Sequence, residues 1–184
     1  MRQYRVTTLP ASEPLLKAEV KNHLKVDNTA DDDLIDALII TARQAVEDYT
    51  LLKLLPQTVT EYFDGFTDPL ELSTAPMRTV SSVSYLDVDG ATQTLSTDVY
   101  KVQEYALLPL VSLKADQVWP TTRAEAEVVT VTYTVGFDDA DAVPRILKSA
   151  MLLMIGFWYE KREDSIRKMP TQAEFLLRPY RIMI

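Results

Sequence analysis

The side chains best able to do chemistry in this chain are acidic, and they cluster. Asp27, Asp31, Asp32, Asp33 and Asp36 fall close together, a density that suggests divalent-cation binding. A calcium loop beginning at Asp27 requires glycine at its sixth position and glutamate at its twelfth. Those positions hold Asp32 and Leu38, so the motif fails. The cluster reads instead as a charged helix N-terminus favoured by the helix dipole. Asp87-Val88-Asp89-Gly90 is likewise a turn before it is a metal site. Glu125 with Glu127, or Asp138, Asp139 and Asp141, have the chemistry for acid–base work. They lie at strand edges or in a loop, where solvated acids are common. His23 is the only histidine, there is no cysteine, and no GxSxG motif supplies a nucleophile, so no triad can be assembled. Thiolate and multi-histidine metal sites are excluded on the same grounds. The four glycines, Gly65, Gly90, Gly136 and Gly156, are too far apart to form a phosphate-cradling loop. No catalytic residue, cofactor or metal is assigned, and the chain reads as a non-enzyme.

Length and composition allow one domain, or one domain carrying an insertion, with a working core. The 184 residues are 47% hydrophobic and 25% charged, which is ordinary for a globular protein. The longest apolar run, Ala150 to Tyr159, is about half of what a membrane span requires. The first ten residues lack the apolar segment of a signal peptide. The expectation is a soluble protein of a reducing compartment with no membrane partner. The net charge of −8 is unevenly divided: +4 from Arg145 onward and −12 before it. That sign disfavours phosphate binding by the main body. A basic tail facing an acidic body suits head-to-tail contact between copies or docking on an acidic partner.

The elements that must position these residues follow from periodicity. Leu16, Val20 and Leu24 predict a short amphipathic helix between Ser12 and Val26, with Ser12-Glu13-Pro14 as its start. Thr29 to Asp33 supplies caps and charge for a second helix running to about Leu52, with Ile35, Leu38, Ile39, Ala42, Val46 and Tyr49 on one face. A helix-turn-helix is excluded by sign, since Asp31, Asp32, Asp33 and Asp36 would be repelled by phosphates. From Gln57 to Phe137 the pattern alternates in twos. About six short strands are predicted, with a hairpin at Asp89-Gly90 and the best strand at Val128 to Val135. Helical period returns at Val143-Pro144 in the most buried helix of the set. The polar run Glu160 to Lys168 is read as a frayed end or loop, and Thr171 as the cap of a last helix reaching Leu177. The fold class is α+β: a helical unit built from both chain ends (1–56 and 142–184) with an antiparallel β domain (57–141) inserted. At the C-terminus, Phe175, Leu176, Leu177, Tyr180, Ile182 and Ile184 accompany Arg178 and Arg181. Such residues either fold back on the core or anchor another chain.

Several stretches in order carry a family resemblance: KAEVKNHLKVD (17–27), DDDLIDALIITARQAVEDYT (31–50), QTVTEYFDGF (57–66), APMRTVSSVSYLDVDGATQTL, VYKV, VWP, VTVTYTVGFDDADAVPRILKSAMLLMIGFWYEKRE and the final LLRPYRI. Together they resemble the phage head–tail connector proteins of the phiE125 gp8-like group, related to HK97-type head-to-tail adaptors, over nearly the whole chain. One departure is Leu51-Leu52, where the family often has Arg/Gly after the Tyr-Thr that closes the second helix. The resemblance implies a structural virion protein of a tailed phage or gene transfer agent, assembled in the host cytoplasm and placed at the head–tail junction. It implies a ring, commonly dodecameric, beneath the portal protein, connected to a stopper or tail-completion protein, from a chain that is monomeric when isolated. DNA passes through the channel without sequence-specific binding. By position, portal docking would fall on Phe175, Leu177, Tyr180, Arg181 and Ile182. Asp27, Asp31, Asp32, Asp33 and Asp36 would face the channel. The alternatives are a small host-encoded β-domain enzyme or a monomeric binding module using acidic surface residues. Gathering of Glu125, Glu127 and Asp138 in one deep pocket would favour the enzyme.

Overall fold

The computed structural model describes residues 3–103, 108–161 and 169–182. The chain folds into two compact units, one of Met1–Leu9 with Pro56–Gly136, the other of Pro10–Leu55 with Phe137–Ile184.

The first unit is built on antiparallel sheets. Its main sheet has five strands in the order β1 (Gln3–Thr8), β2 (Gln57–Phe63), β8 (Val129–Val135), β4 (Met77–Leu86) and β5 (Thr92–Thr94). A smaller sheet orders β3 (Leu70–Glu71), β7 (Leu110–Leu113) and β6 (Tyr100–Gln103). β8 lies at the centre because its sequence fits that place. Val129, Val131, Tyr133 and Val135 are buried while the threonines between them are half-buried, the two-residue period of a strand with one core face. It pairs in uninterrupted register with β2, Gln57 opposite Val135 and Phe63 opposite Val129. On its other side β4 is bulged in two places, which adds local twist. The Asp-Gly hairpin forms as expected. Gly90 has φ +83, and the Asp87 carboxylate accepts from the Asp89 and Ala91 amides at 3.0 and 2.9 Å.

One buried acid ties this unit together. Glu61 on β2 is fully buried and accepts from the Ser73 amide at 2.9 Å, from the Ser73 hydroxyl and from the Tyr133 hydroxyl at 2.9 Å. Burial, reinforced by the neighbouring charge of Glu61, pushes the Tyr133 phenol well above the usual tyrosine range. The hydroxyl therefore stays protonated and donating.

The second unit is helical: α1 (Lys17–Leu24), α2 (Asp32–Thr50), α3 (Arg145–Glu160) and α4 (Thr171–Leu177), followed by a 3-10 turn over Arg178–Tyr180. Ile35, Leu38, Ile39, Ala42 and Val46 of α2 form one buried stripe, and Leu147, Ala150, Met151, Met154, Ile155 and Trp158 of α3 a wider one. They meet in a single core that also takes Leu177 of α4. A buried ion cluster crosses the same unit. Arg43 Nε lies 2.8 Å from Glu13 Oε2 and its Nη1 3.4 Å from Glu47 Oε2, with Lys53 Nζ 3.3 Å from that same oxygen. The other Glu47 oxygen accepts from the Leu54 amide at 3.1 Å, so the acid clamps the turn after α2 to its own helix.

Several expectations shift. Residues 3–8, read as part of the helical unit, form β1 and pair with β2, Val6 opposite Val59. The local signal was only Tyr4 and Val6 alternating with Arg5 and Thr7. The partner that makes it a strand is remote in sequence. The two-residue β3 was also unforeseen. α1 begins at Lys17 rather than at Ser12-Pro14. α2 stops at Thr50, where Leu51 takes φ +62, a left-handed position that glycine ordinarily fills. The departure from the family pattern at Leu51 thus coincides with a strained cap. At α4, Pro170 rather than Thr171 occupies the cap. Most of the polar run 160–168 lies outside the described residues.

Two stability predictions follow from burial. Replacing Glu61 by Ala leaves three donors without their acceptor and should cost about 3 kcal/mol or more, with Tyr133→Phe costing about 1–2 kcal/mol, both read by urea denaturation. Leu177→Ala should cost about 2–5 kcal/mol, whereas Phe175→Ala, at a side chain 73% exposed, should stay within about 0.5 kcal/mol.

Candidate functional site

The acidic cluster is sorted by the structure into tied and untied members. The Tyr159 hydroxyl donates to Asp31 at 2.6 Å, fixing the start of α2 to α3. Asp32 pairs with Lys21 at 2.7 Å and Asp36 with Lys17 at 2.6 Å, joining α1 to α2. The Asp36 hydrogen bond and charge hold the Lys17 ammonium above its ordinary range. Asp27 and Asp33 are exposed, and neither has an ion-pair partner among the described residues. Among the described residues, no group of three potential ligands could hold a metal ion. No described helix is long and apolar enough to cross a membrane.

The acids considered for proton transfer are exposed. Glu125 and Glu127 are exposed on the β unit, and Glu125 pairs with Arg123 at 3.3 Å. Asp138 is exposed on the helical unit. Exposed side chains of this kind do not have the burial that the enzyme alternative needed. His23, exposed near the end of α1, has Nε2 3.6 Å from where a Cβ on Gly156 would stand. This is ordinary packing between α1 and α3.

The five C-terminal residues divide sharply. Leu177 and Ile182 are buried, at 0% and 5% exposure. The Ile182 amide donates to the Thr50 carbonyl at 3.0 Å, so the segment is laid back along the end of α2. Tyr180 is half-buried, and the exposed Arg181 guanidinium lies 5.2 Å from the centre of the Tyr49 ring, a cation–π distance. Phe175 is the large apolar side chain of the five that projects. It borders an open groove of about 460 Å³ between α3 and α4, lined by Leu153, Thr171, Gln172, Phe175 and Leu176. A second groove, of about 530 Å³, lies between α1 and the start of α3. It is lined by Glu19, Asp141, Arg145 and Lys148 among others. Sequence reasoning missed the buried charges Arg43, Glu47 and Glu61. The only available signal was the i, i+4 spacing of Arg43 and Glu47, which is equally at home on an exposed face.

The comparisons with known proteins bear on these surfaces. Residues 18–85 match the family model described as phage gp6-like head-tail connector protein. No curated protein matches the chain. Among solved structures, the neck of an empty GTA particle computed with C6 symmetry contains a chain of 21% identity. It aligns over 99% of this chain and 96% of its own length, with a TM-score of 0.82. The virion of a native gene transfer agent (GTA) particle aligns at 21% identity over 99% and 96%, with a TM-score of 0.77. The neck of the native GTA particle computed with C12 symmetry does so over 100% and 96%, also at 21% identity and a TM-score of 0.77. The chain therefore has, over nearly its whole length, the fold of a protein in the gene transfer agent neck, and over residues 18–85 the sequence pattern of phage gp6-like head–tail connectors.

Proposed function

We propose that this chain is a structural head-to-tail adaptor of a tailed phage or gene transfer agent. Copies form a ring beneath the portal protein and connect it to a stopper or tail-completion protein around the DNA channel. The observation that carries the reading is the alignment of almost the entire chain with a neck subunit fold, both units included. The connector sequence pattern in residues 18–85 supports it independently. The protein's work on this reading is to assemble rather than to catalyse.

Its electrostatics suit that work. A ring around DNA must let the duplex slide, and each neutralised phosphate would strengthen binding instead. The acids with no ion-pair partner among the described residues, Asp27 and Asp33, are the members of the cluster assigned to the channel. Asp31, Asp32 and Asp36 are engaged in holding α1, α2 and α3 together. Of the C-terminal residues, Tyr180 and Arg181 present accessible surface to a portal. Leu177 and Ile182 act from inside the core by holding that segment in place. Removing residues 175–184 would therefore take core side chains with it, and a point substitution is the cleaner probe.

The test is electron microscopy of the protein mixed with its cognate portal. A ring of adaptor density on the portal is expected. Tyr180→Ala combined with Arg181→Ala should weaken docking by about tenfold or more, the scale of an interface hot spot. Because Tyr180 packs partly against the helical core, docking is measured well below the variant's own, lowered, unfolding midpoint. Absence of any ring on the portal with wild-type protein would overturn the adaptor reading. Docking of the double variant at wild-type strength would overturn the C-terminal assignment alone.

A further inference from the structure

The C-terminal end of α2 is the seat on which the last described residues rest. A helix leaves its final carbonyls without partners in its own ladder. At Thr50 the ladder stops because Leu51 turns left-handed. The Leu54 amide, which a continuing helix would have brought to the Thr50 carbonyl, is taken by Glu47 at 3.1 Å. The Ile182 amide donates to that carbonyl instead, at 3.0 Å. Thr50 is itself fixed. It is fully buried, and its hydroxyl donates to the Val46 carbonyl at 2.7 Å and accepts from the Leu52 amide at 3.2 Å. With Leu177 and Ile182 in the core, the backbone on either side of Tyr180 and Arg181 is held.

The Arg181 side chain is then placed by one contact. Its guanidinium carbon lies over the Tyr49 ring, 5.2 Å from the centre. α2 carries no basic residue in its last turn, where the negative end of the helix dipole favours a cation. Arg181 brings one there from outside the helix. The Tyr49 hydroxyl has no hydrogen-bond partner among the described residues, so the ring is the part that serves the contact. A cation–π contact uses none of the guanidinium's donors, and no described acceptor engages the Arg181 side chain. Its planar fork of N–H groups, which matches a carboxylate in shape and charge, is unspent. Arg178, exposed and one 3-10 turn earlier, also has no ion-pair partner among the described residues. These two arginines are the only charges from Phe175 to Ile182.

We propose that Tyr49 is a positioning residue for portal docking: its ring holds Arg181 with the N–H fork free to receive a carboxylate of the portal. An arginine already held in place loses less rotamer freedom on binding. This inference rests on the C-terminal docking assignment above. To that assignment it adds the residue that prepares the contact and the chemistry of the group that the contact meets.

The test is titration of the full chain against its cognate portal, well below the unfolding midpoint of each variant. Tyr49→Leu should weaken docking about threefold to fivefold, the scale of an exposed cation–π contact. Tyr49→Phe keeps the ring and should dock as the wild type does. In an Arg181→Ala background, Tyr49→Leu should have no further effect, because the contact it serves is already gone. A loss of equal size in both backgrounds would mean that Tyr49 acts on the fold alone, and the positioning role would fall. Wild-type docking by Tyr49→Leu or by Arg181→Ala would overturn it as well. Added salt should weaken wild-type docking more steeply than that of Arg181→Ala, and equal slopes would remove the carboxylate as the group met. Wild-type docking by the Tyr180 and Arg181 double variant would instead overturn the C-terminal assignment beneath the proposal.

Discussion

The apolar seam between α2 and α3 determines what the helical unit can offer to any partner. Ile35, Leu38, Ala42 and Val46 on one side and Leu147, Ala150, Met151 and Met154 on the other are removed from water. Burial of that many aliphatic side chains is the dominant favourable term in folding such a unit. Once the seam forms, the rotation of each helix about its axis is fixed, because one face must be inward. The outward positions are then set as well: Asp33, Ala37, Gln44 and Asp48 on α2, and Arg145, Ser149 and Glu160 on α3. α1 and α4 complete the enclosure, and the C-terminal segment is held by Leu177 and Ile182 against the same core.

Charge in this protein is divided between framework and surface. Arg43, Glu47 and Lys53 are nearly inaccessible and satisfy one another within the helical unit. Glu61 is buried in the β unit with hydroxyl and amide donors. Such groups contribute specificity of arrangement more than net stability, because desolvation offsets much of the attraction. What remains for long-range electrostatics is the set of unpaired surface groups. The −8 of the sequence therefore overstates the structural importance of some acids and understates the availability of others.

Much of this fold was legible from local pattern. α3 and β8 were read nearly to their ends because each carries an unbroken period, helical in Ile146 to Trp158 and alternating in Val129 to Val135. The Asp89-Gly90 hairpin was legible because the turn demands a residue of positive φ. β1 was not, since an edge strand of two apolar side chains is defined by its pairing with β2 and not by its own sequence. The buried carboxylates were illegible for a related reason. Nothing local distinguishes Glu61 in its alternating strand from an outward-facing acid until Ser73 and Tyr133 arrive from elsewhere in the chain. The C-terminal segment left two options open from composition, and the structure shows both kinds of residue in it, with Leu177 inside and Phe175 outside.

The chain passes between its two units three times, after residues 9, 55 and 136. During synthesis, the first strand and the first two helices emerge without the partners that bury them. The five-stranded sheet cannot close before β8 is made, since β8 separates β2 from β4. The helical core waits longer still, because Leu177 and the Ile182–Thr50 hydrogen bond come after β8 and α3 in the chain. A chain stopped before Leu177 would thus lack a finished helical unit. The order of the elements acts as proofreading: the outward faces of α2 and α3 are held in place only after α4 has been made.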